Sequence, residues 1–474
     1  MKELTRILLI ATIAAVILST GVCHAQDKKL TGYVHSYSPV EGYIVPEDEA
    51  VLKKLDAWQD LKFGVLFCIG GYSIPGVIES WVLCAEDEEW EYSERLKRGM
   101  TLQEFKQWYF DLGMQLNPVK FDPDQWADIM QDAGIKYMIF NTKHHDGFCL
   151  YDSKYTNYSI THGAYANNPR SNMAKEVFNA FRKKNFMIGC YFSKPDWHCE
   201  YYWNPLFDTP NRYHNYDREK HPDWWQKYTE FTMNQLNELT TDYGNIDILW
   251  LDGGQVRGSD VGLDEVLVGA RQRNPGLICV DRVQRDKNEN YQTPECNIPP
   301  TQRNIPWETC DPLYGWGWKP NPKYKSSAHV IAMITEVVAK GGNFLLGIGP
   351  TAEGEIDELA QERLADIGKW MRKYGKAIYG TRITPHYNDG QVWFNADKDG
   401  KTLYAIYAFN DEQETTLPTT IEWTENIPTG RMKLLSTGKK VKYTVDGNRV
   451  TVTLPKGMPK ESFALQFMLK QNNK

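Results

Sequence analysis

Between about residue 60 and residue 380, short and almost wholly apolar runs alternate with longer amphipathic stretches. The runs are FGVLF (63–67), KYMIFNTK (136–143), FMIGCYFS (186–193), IDILWLDG (246–253), GLICVDRV (276–283) and NFLLGIGP (343–350). Each has the length of a strand buried on both faces. Between them, DQWADIMQDAG (124–134) and MAKEVFNAFRKKN (173–185) read as helices, and the second places apolar residues at 173, 177, 178 and 181, one helical stripe. Buried strands each followed by a covering helix predict an α/β fold, a parallel (β/α) TIM-like barrel. In such barrels chemistry gathers at the C-terminal ends of the strands.

The pattern changes after Tyr379. GQVWFNAD, TLYAIYAFN, GRMKLLS, KVKYTVDGNRVTVTLP and FALQFML alternate with turn residues, and Asp446-Gly447-Asn448 joins two of the runs as a hairpin turn. A C-terminal antiparallel β-sandwich over 384–474 is expected, after a catalytic barrel over 26–380. The opening residues read as an address. Lys2 and Arg6 precede the apolar run Ile7–Leu18, which is too short to span a bilayer, and Cys23-His24-Ala25 offers small residues for cleavage before Gln26. A signal peptide over 1–25 and a periplasmic or secreted protein follow. Cys23 also allows a lipoprotein reading, against which stands Val22 where a small residue is usual.

Composition narrows the field. A net charge of −7 and the absence of any Lys/Arg block argue against a nucleic-acid surface. Cys190 and Cys279 fall inside apolar runs, where Cys behaves as a small hydrophobe, and no CxxC pair suggests zinc or redox chemistry. No cofactor is expected.

The candidate chemistry lies at the strand ends. In IDILWLDGG a carboxylate closes a buried strand and two glycines follow, so Asp252 stands at the barrel mouth, as a catalytic group or as a helix cap. Glycoside hydrolysis needs a second carboxyl. Glu295 in YQTPE and Glu308 in PWETC sit among prolines and aromatics that could desolvate a carboxyl and raise its pKa, although either could instead be a structural partner of an arginine. KHHDGF (143–148) follows a strand directly. Its two histidines suit sugar hydroxyls better than a metal, for no HExxH or matching downstream spacing accompanies them. Trp81, Tyr191, Trp197, Trp250, Tyr314, Trp316 and Trp318 crowd the same ends, as core or as platforms for apolar sugar faces.

Together these motifs resemble family 29 glycoside hydrolases, the α-L-fucosidases, from about Leu61 to Gly380. The resemblance rests on KFGVLFCIGGYS (62–73), AGIKYMIFNTKHHDGF (133–148), GCYFS (189–193), LWLDG (249–253), Asp281-Arg282, Thr293-Pro294-Glu295, Trp307-Glu308-Thr309-Cys310 and GGNFLLGIGPTAEG (341–354). It implies a retaining exo-glycosidase that removes terminal fucose from an oligosaccharide or glycoconjugate by double displacement, with Asp252 as nucleophile. It implies too that His144, His145, Tyr191, Trp250 and Arg282 line the sugar pocket, with Trp81 and Trp316 as looser correspondences. For the acid/base it offers both glutamates; the spacing after Arg282 favours Glu295, and Glu308 is the alternative.

One position departs from the family pattern. Where the family has HWG, this chain has Cys68-Ile69-Gly70. The family histidine donates to a sugar hydroxyl, whereas a thiol is smaller and a weak donor. The same mechanism on another sugar, such as a galactoside, therefore stays open, as does a catalytically silent carbohydrate-binding homologue.

Overall fold

In a computed structural model of the chain, residues 43–77, 79–84, 94–410 and 416–469 are described. The expected leader (1–25), with Cys23, lies outside them.

The strands β1 (Phe63–Phe67), β2 (Tyr137–Lys143), β3 (Met187–Ser193), β4 (Ile248–Asp252), β5 (Ile278–Asp281), β6 (Glu308–Pro312) and β7 (Asn343–Ile348) form one parallel seven-stranded sheet, in the order β5-β4-β3-β2-β1-β7-β6. Helices connect them: α1 (Glu49–Leu61), α2 (Leu102–Gln115), α3 (Pro123–Asp132), α4 (Met173–Lys183), α5 (Pro222–Asp242), α6 (Leu263–Arg273), α7 (Ser327–Ala339) and α8 (Glu358–Tyr374). Side-chain caps at Asp48, Thr101, Asp122, Asn172, Ser326 and Asp357 satisfy backbone N–H groups that would otherwise be orphaned at the helix starts.

Two hydrophobic layers explain why the strands carry so few polar residues. Outside the sheet, the α4 stripe packs on the strands through Phe178 against Phe140 and Phe181 against Phe67. Inside it, Leu66, Ile139, Trp250, Val280, Cys310 and Leu345 fill the barrel. Between β5 and β6 the irregular segment 289–295 closes the ring. Glu289 pairs with Val280 on one side, and Gln292 and Glu295 pair with Trp307 and Cys310 on the other.

PWETC, with its proline and no apolar run, gives no strand signal in the sequence, yet Glu308 opens β6. ETCDP lacks an apolar run because its polar atoms bond within the barrel wall; Thr309 Oγ1, for instance, donates to the Pro294 and Asn297 carbonyls at 3.2 and 2.9 Å.

Beyond Gly380 the strands β8 to β16 are antiparallel. One sheet runs β13 (Pro428–Leu434), β16 (Phe463–Leu469), β11 (Thr402–Tyr407), β10 (Val392–Asp397), β8 (Thr381–Arg382), with β9 (Asn388–Asp389) also on β10. A three-stranded sheet, β12 (Thr420–Thr424), β15 (Arg449–Thr453), β14 (Lys442–Asp446), faces it through Trp423, whose ring meets Phe394 and Phe467. The predicted hairpin is present: Asp446 pairs with Arg449 across Gly447-Asn448, with Gly447 at φ +61°. The fold is a TIM-like barrel followed by a β-sandwich, and Trp370 of α8 ties the two by donating to the Ser462 carbonyl at 2.7 Å.

Candidate active site

The site is built where the strands end. Asp252 is the last residue of β4, and the chain turns at once through Gly253 at φ +84°. A Cβ on Gly253 would lie 2.1 Å from Pro195 Cδ, so only glycine lets this turn pack against the end of β3. The turn directs the Gly253 N–H back onto Asp252 Oδ1 at 2.8 Å. Arg282 donates to the same oxygen at 3.0 Å, and the Tyr191 hydroxyl donates to Oδ2 at 2.7 Å. His145 Nε2 stands 3.8 Å from Oδ2. The three hydrogen bonds favour the ionised carboxylate in a residue only 7% exposed.

Arg282 joins a second carboxylate to the first. One terminal nitrogen bonds Asp252, the other bonds Glu295 Oε2 at 2.8 Å, and its Nε donates to Thr293 Oγ1 at 3.0 Å. Trp316 Nε1 donates to Glu295 Oε1 at 3.0 Å. The guanidinium also lies 4.5 Å from the centre of the Trp250 ring, which stacks on Tyr191. Burial opposes its charge, but Asp252 and Glu295 hold Arg282 ionised. Its neighbour Asp281 points away, into a buried ion pair with Lys194.

Glu308 lies deeper. It is fully buried at the N-terminal end of β6, where Tyr137 donates to Oε2 at 2.6 Å and Trp250 Nε1 to Oε1 at 3.3 Å. Burial pushes its carboxyl up to about 7, yet it touches the underside of Trp250 rather than the mouth.

The KHHDGF segment brings both histidines to the site. An extended backbone would send them to opposite sides, but the chain turns here, and their ring centres lie 4.4 Å apart. The turn depends on Gly147 at φ +80°, where a Cβ would lie 2.2 Å from Asp196 Oδ1. Lys143 pairs with that Asp196 at 3.0 Å, and Asp146 accepts from the Tyr109 hydroxyl at 2.8 Å, so the flanking charges hold the turn. His144 bonds Ser80 Oγ through Nδ1, and burial lowers its pKa to about 4, which keeps the ring neutral. Trp81 meets His145 and Trp197 edge-on, at 4.9 and 5.4 Å. Trp318 is half-buried, and Tyr314 is exposed.

Three side chains at this mouth went unread in the sequence. Glu79, beside Trp81, is buried; burial, then the charges of Glu295 and Asp252, push its carboxyl up to about 8. Tyr72 and Asn141 are each 1% exposed and face the Cys68 thiol. Glu79 lies in the same ESW that drew attention to Trp81, whereas Asn141 is hidden in an otherwise apolar strand. Among the described residues no group of three or more His, Cys, Asp and Glu side chains stands in a metal-holding arrangement.

The chain is similar to known proteins over most of its length. It is 29% identical to human plasma alpha-L-fucosidase over 391 residues, 75% of this chain and 76% of that protein. Its fold superposes on alpha-L-fucosidase isoenzyme 1 from Paenibacillus thiaminolyticus with a TM-score of 0.73 at 26% identity, covering 89% of this chain and all of that one. The Thermotoga maritima alpha-fucosidase, solved in complex with fucose, gives 0.69 at 25% identity, covering 91% of this chain and 99% of that one. The alpha-L-fucosidase family profile matches residues 35–376, within which every strand of the barrel and every carboxylate described above falls, and the chain belongs to that family of glycoside hydrolases.

Proposed function

We propose that this chain removes terminal α-L-fucose from glycans with net retention, using Asp252 as nucleophile and Glu295 as acid/base. The observation that carries the reading is Arg282, which bonds one carboxylate with each terminal nitrogen. A pair held on one guanidinium suits the retaining separation of about 5–5.5 Å better than the wider gap that admits a water.

The steps follow from the contacts. Tyr191, Arg282 and the Gly253 N–H keep Asp252 ionised and aim it, so that a carboxylate oxygen attacks the anomeric carbon. Glu295 donates a proton to the departing oxygen, then takes one from the water that releases the sugar. Trp316 orients Glu295, and the half-buried faces of Trp81 and Trp316, with His144 and His145, enclose the sugar. Contact with Arg282 opposes protonation of Glu295. A neutral Glu79 beside it supplies a second proton source, and this observation favours a shared role for the two glutamates. Both carboxylates and the arginine are present, which speaks against a silent homologue.

Cys68 supports a second reading, the same chemistry on a galacto-configured sugar. Export, a barrel over 26–380 and a separate domain over 384–474 belong to the proposal as well. Among the described residues no helix is long and apolar enough to cross a membrane. A panel of nitrophenyl glycosides tests it: fastest turnover of the α-L-fucoside is expected, faster turnover of a galactoside selects the second reading, and no turnover at all overturns both.

A further inference from the structure

The barrel interior directly beneath the mouth contains a polar group that the mechanism above does not use. Strand pairing sets its depth. Leu66 of β1 pairs with Ile139 of β2, both inside the barrel, so Cys68 and Asn141, two residues further along each chain, form the next inward layer. Asn141 is level with Tyr191, and Tyr191 with Trp250, the two aromatic residues beneath and beside Asp252. Asn141 is therefore aimed into the barrel at the height of the sugar-pocket floor.

Its amide lies against Cys68 and Tyr72, yet neither Nδ2 nor Oδ1 makes a hydrogen bond of normal geometry. The hydroxyl of Tyr72 and Oε1 of Glu79, buried in the same recess, are likewise without one. A buried amide with both functions unsatisfied is costly to a fold, and a thiol is too weak a donor to satisfy it. A sugar hydroxyl is donor and acceptor at once and fits an amide flanked by a phenol.

We propose that Asn141, with Tyr72 beside it, is a specificity-determining pair that hydrogen-bonds one hydroxyl of the terminal pyranose on the wall where Cys68 stands. The inference rests on the glycosidase reading above and assigns this wall of its sugar pocket. Cys68, small and weakly polar, offers the sugar no strong hydrogen bond here, so selectivity on this side falls to Asn141 of β2 and to Tyr72 in the turn after β1.

The test is a cycle of substrate and side-chain deletions. The kcat/KM of wild type, Asn141→Leu and Tyr72→Phe is measured on nitrophenyl α-L-fucoside and its 2-, 3- and 4-deoxy analogues. One deoxy position should cost wild type roughly tenfold, about the worth of one hydrogen bond. Asn141→Leu should lose a similar factor on the parent and nothing further on that analogue, and Tyr72→Phe should share the pattern with a smaller loss. Equal losses on all four substrates, or none, would overturn the proposal, and Tyr72→Phe decides it alone if Asn141→Leu does not fold. If wild type prefers the α-L-galactoside, the fucose reading fails while the cycle proceeds with deoxygalactosides, of which the fucoside is itself the 6-deoxy member. In a chain that turns nothing over, calorimetric Kd values for L-fucose and its deoxy derivatives complete the same cycle, and absence of binding overturns both readings.

Discussion

The two glutamates that the sequence left in competition are separable by one substitution at each. Glu308→Gln keeps the volume of a fully buried side chain but cannot serve both its donors as before. Tyr137 and Trp250 each donate to a carboxylate oxygen, at 2.6 and 3.3 Å, and an amide has a single acceptor oxygen. If that oxygen accepts from Trp250, Tyr137 loses its acceptor. Leaving one buried donor unsatisfied costs about 1–3 kcal/mol. Urea denaturation should therefore show Glu308→Gln less stable by about that much. Because Trp250 lies between Glu308 and Arg282, kcat should fall as well, and by similar factors for a methyl and a nitrophenyl glycoside. Glu295→Gln should behave differently. A general acid contributes about 10²–10⁴-fold where the leaving group needs a proton and little where it does not. Its methyl glycoside should thus lose about that factor, with glycosylation by the nitrophenyl glycoside nearly spared. A Glu308→Gln enzyme of wild-type stability that loses only the methyl glycoside would refute this assignment and make Glu308 the acid.

Other consequences follow from the same contacts. Glu79 keeps a proton up to about 8 that it would lose near 4.5 when unfolded, so its stabilisation is complete below 4.5 and is lost as pH rises through 8. Glu79→Gln should flatten the loss of stability between about pH 4.5 and 8 and the alkaline limb of kcat/KM, and an unchanged dependence of urea stability on pH across that window would disprove it. His144, lowered to about 4, should start to weaken the fold only as pH falls from 6.5 towards that value, and circular dichroism on acid titration reads this directly. Cys68→His should raise kcat/KM on the α-L-fucoside relative to galactosides by several-fold, about the worth of one restored hydrogen bond; an unchanged ratio would assign the preference to the rebuilt segment around Ile69. With His144 bonded to Ser80 and His145 facing Asp252, activity should survive EDTA, and loss restored by a divalent ion would revive a metal role for the histidines.

Much of this was readable from the chain because barrel strands buried on both faces carry an unmistakable apolar signal. FGVLF is β1 residue for residue, and LWLDG places Asp252 at the end of β4. The signal fails where polar side chains are satisfied inside the wall. ETCDP is a strand without an apolar run, so no pattern in the chain places Glu308 on one. Glu295 sits on a segment that closes the ring through isolated pairings, which no periodicity marks. The convergence of His144 and His145 depends on a glycine turn against Asp196, a long-range fit invisible to spacing. Asn141 escaped notice because one amide in a buried strand reads as tolerated polarity; only its inward register and unsatisfied atoms set it apart.

The central claim is that Asp252 forms a covalent bond to the sugar. Incubation with 2-deoxy-2-fluorofucosyl fluoride, which forms the glycosyl-enzyme readily and hydrolyses it slowly, followed by peptide mass spectrometry, tests it directly. One sugar adduct per chain is expected, on the peptide containing Asp252, and none in Asp252→Ala. An adduct on another carboxylate, or turnover with inversion and no adduct, would contradict it.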